Sequence, residues 1–512
     1  MKKLAVLLIA SGLLLGASTS ASAIDFKMKG RWVMAFDYGQ HGNFSGGNGQ
    51  TGWGKSDEDE FEARQRIRFQ MDAVASESLK GQLYFELGKS RWGRASATDG
   101  AALGADGKII KVRRAFIDWK VPDTDLKVRM GLQGLGLPAF AIGTSQVFVD
   151  DVAAVTLSYR FNENVALTAF WARPYNDNYP GNGGLRASYM DNVDMGALVL
   201  PLTFDGVKVT PWFMMAGIGP NTAADGVGGN WNNIANLSTS RNQFRAGMLP
   251  AWGVVGSDGR RVNDRNCRLT EYGTAWWAGI GGDITYWDPF RIAFDFAAGG
   301  VQYDKSRLNR AGWLASLLFE YKLDWGIPGL YGWYSSGDNS DLGDGSERLP
   351  SISLGNGKNA YSSFVWDGNP DIAREFVMGH SMAGTWGIGA RLKDVSFLED
   401  LKHSFRINYI GGTNKHGLLK KLHRTTANFA ANQSGLGVDS FYLTDLDSAM
   451  EFGLETTYKM YENFTIRFDA AYVALWLDDS RKTWGGTRMN GAGGSRDVRD
   501  CWNLSVTFAY SF

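Results

Sequence analysis

The sequence predicts an all-β protein: a transmembrane, antiparallel, up-and-down β-barrel of about eighteen strands, with sixteen as the alternative count. Three observations predict it. First, the stretch from Cys501 to Phe512 puts Trp502, Leu504, Val506, Phe508, Tyr510 and Phe512 on one parity. Asn503, Ser505, Thr507, Ala509 and Ser511 take the other, so one strand face is apolar and the other small and polar. Second, this two-residue alternation recurs along the chain in pairs of segments joined alternately by short turns and long loops, the asymmetry of membrane barrels whose short turns are periplasmic and long loops extracellular. Third, nothing after residue 24 approaches the roughly twenty apolar residues of a membrane-spanning helix.

Composition agrees. The 512 residues include 65 Gly, 19 Trp, 19 Tyr and 29 Phe but only 12 Pro, and no linker divides them. Lys and Arg number 53 and so do Asp and Glu, a balance that argues against a nucleic-acid partner. Met1-Lys2-Lys3, the apolar run Leu4 to Leu15 and Ala21-Ser22-Ala23 form the charged, apolar and small-residue regions of an export signal. Residues 1–23 are therefore expected to be a signal peptide and 24–512 the barrel.

In chain order, the first strand runs from about Phe26 to Tyr38, with Phe26, Met28, Trp32, Met34 and Phe36 opposed by Lys27, Lys29, Arg31 and Asp37. The second, about Phe61 to Ala75, alternates Phe61, Ala63, Ile67, Phe69 and Met71 with Glu62, Arg64, Arg66, Arg68, Gln70 and Asp72. An arginine facing lipid costs about 2–4 kcal/mol at the bilayer midplane, so these arginines must line the lumen. The third strand sets Leu79, Leu83, Phe85 and Leu87 against Lys80, Gln82, Tyr84 and Glu86. The fourth, near Val112 to Lys120, has an ambiguous phase, because Arg113 and Arg114 fall on opposite faces. The fifth turns Leu126, Val128 and Met130 out and Lys127 and Arg129 in. Residues 132–151 break the rhythm in an unusually apolar loop, which favours burial over water; a short surface helix is the plainer reading. Further pairs follow at 152–161 and 164–173, 192–204 and 207–218, 272–287 and 290–303, 311–323 and 330–337, 384–393 and 402–413, and 448–459 and 463–476. The intervening long loops are rich in Gly, Asn, Asp and Ser.

With the export signal, the repeated alternation and Phe512 on the page, the chain resembles a general bacterial porin. The segments Ala23-Ile24-Asp25-Phe26-Lys27 and Phe508-Ala509-Tyr510-Ser511-Phe512, with the basic second strand, most resemble the outer-membrane homotrimeric porins of sulfate-reducing bacteria. The resemblance implies a homotrimer in the outer membrane of a Gram-negative bacterium, in contact with lipid and lipopolysaccharide. Each barrel would hold a water-filled pore for small hydrophilic solutes and ions. It also implies that residues 132–151 fold inward as a constriction loop and that Phe512 is an assembly signal.

A pore needs a lumen that replaces solute hydration and fixed charges that set ion preference, not a catalytic group or cofactor. The inward face carries Lys27, Lys29, Arg31, Arg64, Arg66, Arg68, Lys127 and Arg129 as one basic wall. The acids expected to face them are Asp150 and Asp151 at the loop end and Asp295, Glu451, Glu455 and Asp469 on later strands. A transverse field between the two sets is the sharper expectation; mutual pairing of solvated charges is the blander one. The five histidines sit in no nucleophile motif, and no catalytic residue is assigned. Asp338, Asp341 and Asp344, with Gly343 and Gly345, are a calcium candidate, although their spacing does not match an EF-hand loop. Cys267 and Cys501 both fall at the outer side and could pair as a disulfide. A passive diffusion channel, a selective channel for sugars or anions, and a structural or adhesive surface barrel all fit this pattern.

Overall fold

The computed structural model describes residues 24–512 apart from 41–43, 45–59, 96–99, 105–109, 177–191, 221, 223–243, 245, 251–268, 355–358, 367–370, 373–376, 380, 419–441, 481–482, 484–487, 490–492 and 495–497. The export signal, His41, His380, His423 and Cys267 thus lie outside the described residues.

Eighteen antiparallel strands close into one barrel. They are β1 Asp25–Gln40, β2 Glu60–Val74, β3 Leu79–Trp92, β4 Ile110–Lys120, β5 Leu126–Gly136, β6 Val149–Arg160, β7 Ala166–Tyr175, β8 Val193–Val199, β9 Val207–Ile218, β10 Gly273–Ile284, β11 Phe290–Gln302, β12 Arg310–Tyr321, β13 Ile327–Ser335, β14 Thr385–Leu398, β15 Leu401–Gly412, β16 Ser448–Tyr461, β17 Phe464–Trp476 and β18 Cys501–Ser511. The count is eighteen, not sixteen. Leu202–Phe204 continues β8 after a break at Pro201, which has no N–H to give the ladder. No helix among the described residues is long and apolar enough to cross a membrane.

The seam is formed by β1 and β18, paired from Arg31 with Ser511 to Gln40 with Trp502. Gly30 and Phe512 exchange backbone hydrogen bonds, N–H to O at 2.8 Å and 3.0 Å. The Phe512 ring lies where a side chain at position 30 would stand, which explains the glycine. Inside the seam, Asn503 Nδ2 donates to Asp37 Oδ1 at 2.8 Å.

Outward faces carry a continuous belt of exposed apolar side chains, among them Met28, Trp32, Phe61, Trp171, Phe213, Trp276, Leu330, Ile388, Phe452 and Leu504. A belt of this extent is incompatible with water and is the face a bilayer takes. The lumen departs from expectation. A polar lumen all round would follow from strict alternation, yet β7 to β9 are largely apolar on both faces, and β10 to β12 mix inward Trp277, Ala293 and Leu314 with the charged Asp283, Arg291, Asp295, Arg310 and Glu320. On β9, for example, Trp212, Met214, Ala216 and Ile218 are buried inward while Phe213 and Met215 are exposed outward. The apolar inner wall has a physical reason: it is covered by loops.

Two loops supply most of that cover. Residues 137–148 bury Leu137, Ala141, Ile142, Val147 and Phe148 in one cluster with inward residues of the wall. Residues 336–384, read from sequence as an outer Gly/Asn/Asp/Ser-rich loop, bury Leu349, Ile352, Tyr361, Phe364, Val365 and Trp366 in the same cluster. The two are stitched together by Ile352 N–H to Val147 O at 2.9 Å and Ala360 N–H to Ile142 O at 2.7 Å. Part of the loop between β9 and β10 joins them through Arg310, which is fully buried. Its guanidinium donates to the carbonyls of Ala246 (2.8 Å), Arg348 (3.1 Å) and Leu349 (2.9 Å).

Candidate functional site

The basic part of the lumen, on β1 to β5, is the candidate site. Alternation on β2 turns Arg64, Arg66 and Arg68 inward, two residues apart, so neighbouring guanidinium stems start about 7 Å apart along the strand. Arg31 on β1 stands opposite Arg68, and Lys29 and Lys27 continue the row toward the short-turn end, where Lys27 reaches Asp25 at 3.7 Å. Val33 and Ala35, small and apolar, stand opposite Arg66 and Arg64.

The ambiguous phase of the fourth strand has a structural answer. The β3–β4 ladder slips between Tyr84 opposite Arg114 and Phe85 opposite Val112, leaving Arg113 as the extra residue of a bulge. A bulge re-aims a side chain, so both arginines act together. Arg113 Nε and Arg114 Nε each donate to Asp151 at 2.7 Å, and Arg113 Nη1 donates to Glu86 at 3.1 Å. Arg114 lies against Gly134, where a Cβ would sit 2.6 Å from its Nη2. The absent side chain is what lets it cross β5 to Asp151 on β6.

Cations outnumber carboxylates along this wall. Glu86 is shared by Arg68 (2.8 Å) and Arg113. Asp118 is shared by Arg129 (2.6 Å), Lys127 (3.3 Å) and Lys80 (3.7 Å). Glu62 is shared by Arg64 and Arg91. Arg66 has no hydrogen-bond or ion-pair partner among the described residues, although it is only 7 % exposed. The charges that act on it are those of Arg68 and Arg113 and, with opposite sign, Glu86 and Asp371.

The six predicted acids do not form the facing half of a field. Asp151 is bound within the basic wall itself, and Asp150 Oδ2 accepts from the Ser353 hydroxyl at 2.7 Å. Asp295 accepts the backbone N–H groups of Phe140, Ala141 and Ile142 at 2.7, 2.8 and 2.9 Å, which fixes the 137–148 loop. Glu451, fully buried, accepts from Phe364 N–H (3.0 Å), the Ser362 hydroxyl (2.9 Å) and Asn408 Nδ2 (2.8 Å), fixing the 336–384 loop. Glu455 and Asp469 share Arg467 at 2.9 and 2.7 Å. The physical reason is common to all: a buried or half-buried carboxylate needs donors, and loop groups or neighbouring arginines are nearer than the far wall.

Sequence reasoning missed the contribution of the 336–384 loop. Tyr361 stacks on Tyr331 with ring centroids 4.3 Å apart and on Trp333 at 5.7 Å. Its carbonyl accepts from Tyr331 Oη and Asn408 Nδ2. Two described residues further along reach the basic wall: Asp371 pairs with Arg31 at 2.9 Å, and Ile372 O accepts from Arg64 Nη1 at 3.2 Å. The apolar content of this loop was a usable signal, the same one that marked 132–151.

The calcium candidate is not assembled. Asp338 is buried, with Ser346 Oγ and Glu347 N–H on one oxygen and Tyr442 Oη on the other. Asp341 accepts from Gly343 N–H, and Asp344 from Asn339 Nδ2. Among the described residues no three His, Cys, Asp or Glu side chains converge as metal ligands. His403 lies in β15 against Thr456 Oγ1, and His416 pairs with Asp445. Cys501 is buried at the outer end of β18, and the proposed disulfide partner Cys267 falls outside the described residues.

Fold and lumen together define a membrane-spanning β-barrel, its interior narrowed by folded-in loops and lined by a basic cluster on β1 to β5. No protein-family model matches the chain, and no curated protein does. Solved barrels that are similar to it include Pseudomonas aeruginosa OprD, at 12% identity and TM-score 0.48 over 96% of this chain and 97% of that one. Pseudomonas aeruginosa OpdQ gives 10% identity and TM-score 0.48 over 95% and 98%. Acinetobacter baumannii OccAB4 gives 10% and 0.49 over 96% and 100%. At these values no solute preference carries over from them.

Proposed function

We propose that the chain is an outer-membrane porin of a Gram-negative bacterium, exported with loss of residues 1–23. It forms a water-filled channel for small hydrophilic solutes and ions, and its narrow zone favours anions. The supporting observation is Arg66: a guanidinium at the narrowed zone with no hydrogen-bond or ion-pair partner among the described residues, flanked by Arg68 and Arg113 in a wall where carboxylates are shared between cations. A passing anion would supply the partner that no described side chain there provides. The lumen charges exchange hydration with the solute, the infolded loops set the width, and no covalent step is needed. The homotrimer belongs to the same proposal through the resemblance to the porins of sulfate-reducing bacteria. A channel that saturates with anionic solutes is the second reading, favoured by the amount of loop packed inside.

The test is the reversal potential in a potassium chloride gradient across a planar bilayer. The wild type is expected to prefer chloride, and Arg66→Glu to shift the potential toward potassium. An unshifted potential removes Arg66 from ion selection; absence of any conductance removes the channel.

A further inference from the structure

The barrel wall parts between β4 and β5. These strands pair over six residues, from Lys120 with Lys127 to Ala115 with Leu132. Both run on past the last pair, β4 to Ile110 and β5 to Gly136, where each pairs, among the described residues, with its other neighbour alone. Six tilted residues rise about 14 Å above the turn, against an apolar band of about 25 Å, so the parted stretch stands at the depth of lipid. The fork opens just past Gly131, whose φ of 127° and lack of a side chain let β5 press on β4; a Cβ there would lie 2.3 Å from Ala115 O. Open backbone edges at this depth are tolerated only where protein or water meets them.

Charged side chains fill the fork in place of a ladder. Asp151 shares the parity of exposed Ala153, Leu157 and Tyr159, opposite to buried Val152 and Ala154, and so belongs to the outward face. Glu86 belongs to the inward face with Arg68. Arg113 donates to both, to Asp151 at 2.7 Å and to Glu86 at 3.1 Å, and therefore spans the wall. Arg114 lies over the inward Tyr84 ring at 5.5 Å, yet its Nε reaches Asp151 across Gly134. A chain of charge thus runs from lumen to lipid, with exposed Ile110 and Val112 beside its outer end. Ionisable groups at membrane depth mark a pathway.

We propose that this fork is a lateral portal for an anionic amphiphile, a long-chain carboxylate, moving between the lumen and the bilayer. Its head takes the place of Asp151 on Arg113 and Arg114, one carboxylate for another, and its tail lies between Val112 and Leu132 toward the lipid. Two guanidiniums share one outward carboxylate, so an incoming head meets a cationic excess. Closure by side chains can part and reform while every backbone pair of the barrel stays intact. The inference rests on the outer-membrane channel reading above, but not on Arg66.

The experiment uses the full-length protein in phospholipid nanodiscs, with spin labels at Ile110→Cys and Gly136→Cys in a Cys267→Ser/Cys501→Ser background. The readout is the label-to-label distance. Sodium laurate is expected to widen it by about 4–5 Å, the room one inserted chain needs, while sodium acetate and dodecanol leave it within about 1 Å. Asp151→Asn is expected to lower the laurate concentration for half-maximal widening about threefold, and Arg113→Gln/Arg114→Gln to raise it more than about tenfold. Either shift decides alone if the other variant does not fold. The portal is overturned if laurate leaves the distance unchanged, if acetate or dodecanol widens it as much, or if the folded variants respond as wild type does. Conductance of the same proteins in planar bilayers separates the two ideas. A conducting wild type whose fork ignores laurate overturns the portal alone; a wild type without conductance overturns the channel reading and the portal with it.

Discussion

Replacing Asp295 by alanine tests whether one carboxylate holds the 137–148 loop inside the barrel. The loop offers three consecutive N–H groups to Asp295, from Phe140, Ala141 and Ile142, at 2.7 to 2.9 Å, and the carboxylate is 8 % exposed. A hydrogen bond to a charged group contributes about 1.5–3 kcal/mol, so three would total about 5–9 kcal/mol if independent. They share one acceptor group and do not add, and water entering the vacated space satisfies some of the donors; about 3 kcal/mol is the working figure. That shifts the equilibrium between seated and released loop more than about a hundredfold. Single-channel recording reads it directly, as the fraction of time spent at a higher conductance level. Asp295→Asn keeps one carbonyl acceptor and is expected to show a smaller effect in the same direction. If Asp295→Ala records show the wild-type conductance and open-level noise, the loop is held by its apolar packing and the electrostatic account is wrong.

Two other changes probe the wall. Gly30→Leu displaces the half-exposed Phe512 ring, and the expected result is a weakened rather than lost β1–β18 seam, seen as unfolding of the compact form at a lower temperature on gels. Asp151→Asn leaves Arg113 and Arg114 without their shared carboxylate; it is expected to destabilise the folded barrel by about 1–3 kcal/mol in urea titrations and to strengthen chloride preference in the same bilayer assay.

How much of this could be read from the chain follows from what each feature depends on. The strands were legible because lipid outside and water inside impose a period of two, and Arg64, Arg66 and Arg68 declared their side at once. Arg113 and Arg114 were not legible, since a bulge depends on the partner strand and not on the local pattern. The roles of Asp295 and Glu451 were hidden for a similar reason. Both were placed on inward-facing strands, but the donors that occupy them come from loops 137–148 and 336–384, distant in sequence. Asp371 sits in a segment with no periodicity, so its position against Arg31 emerges only from the path of the folded loop. The apolar inner faces of β7 to β9 looked like a departure from the pattern until the loops that cover them were seen.

Those inner faces have a consequence for how such a molecule changes over time. The wall and what it encloses are separate structural problems: one is solved by strand pairing and lipid, the other by a small globular core folded within a tube. Substitutions in that enclosed core can retune which compounds get through while the shell still assembles as before.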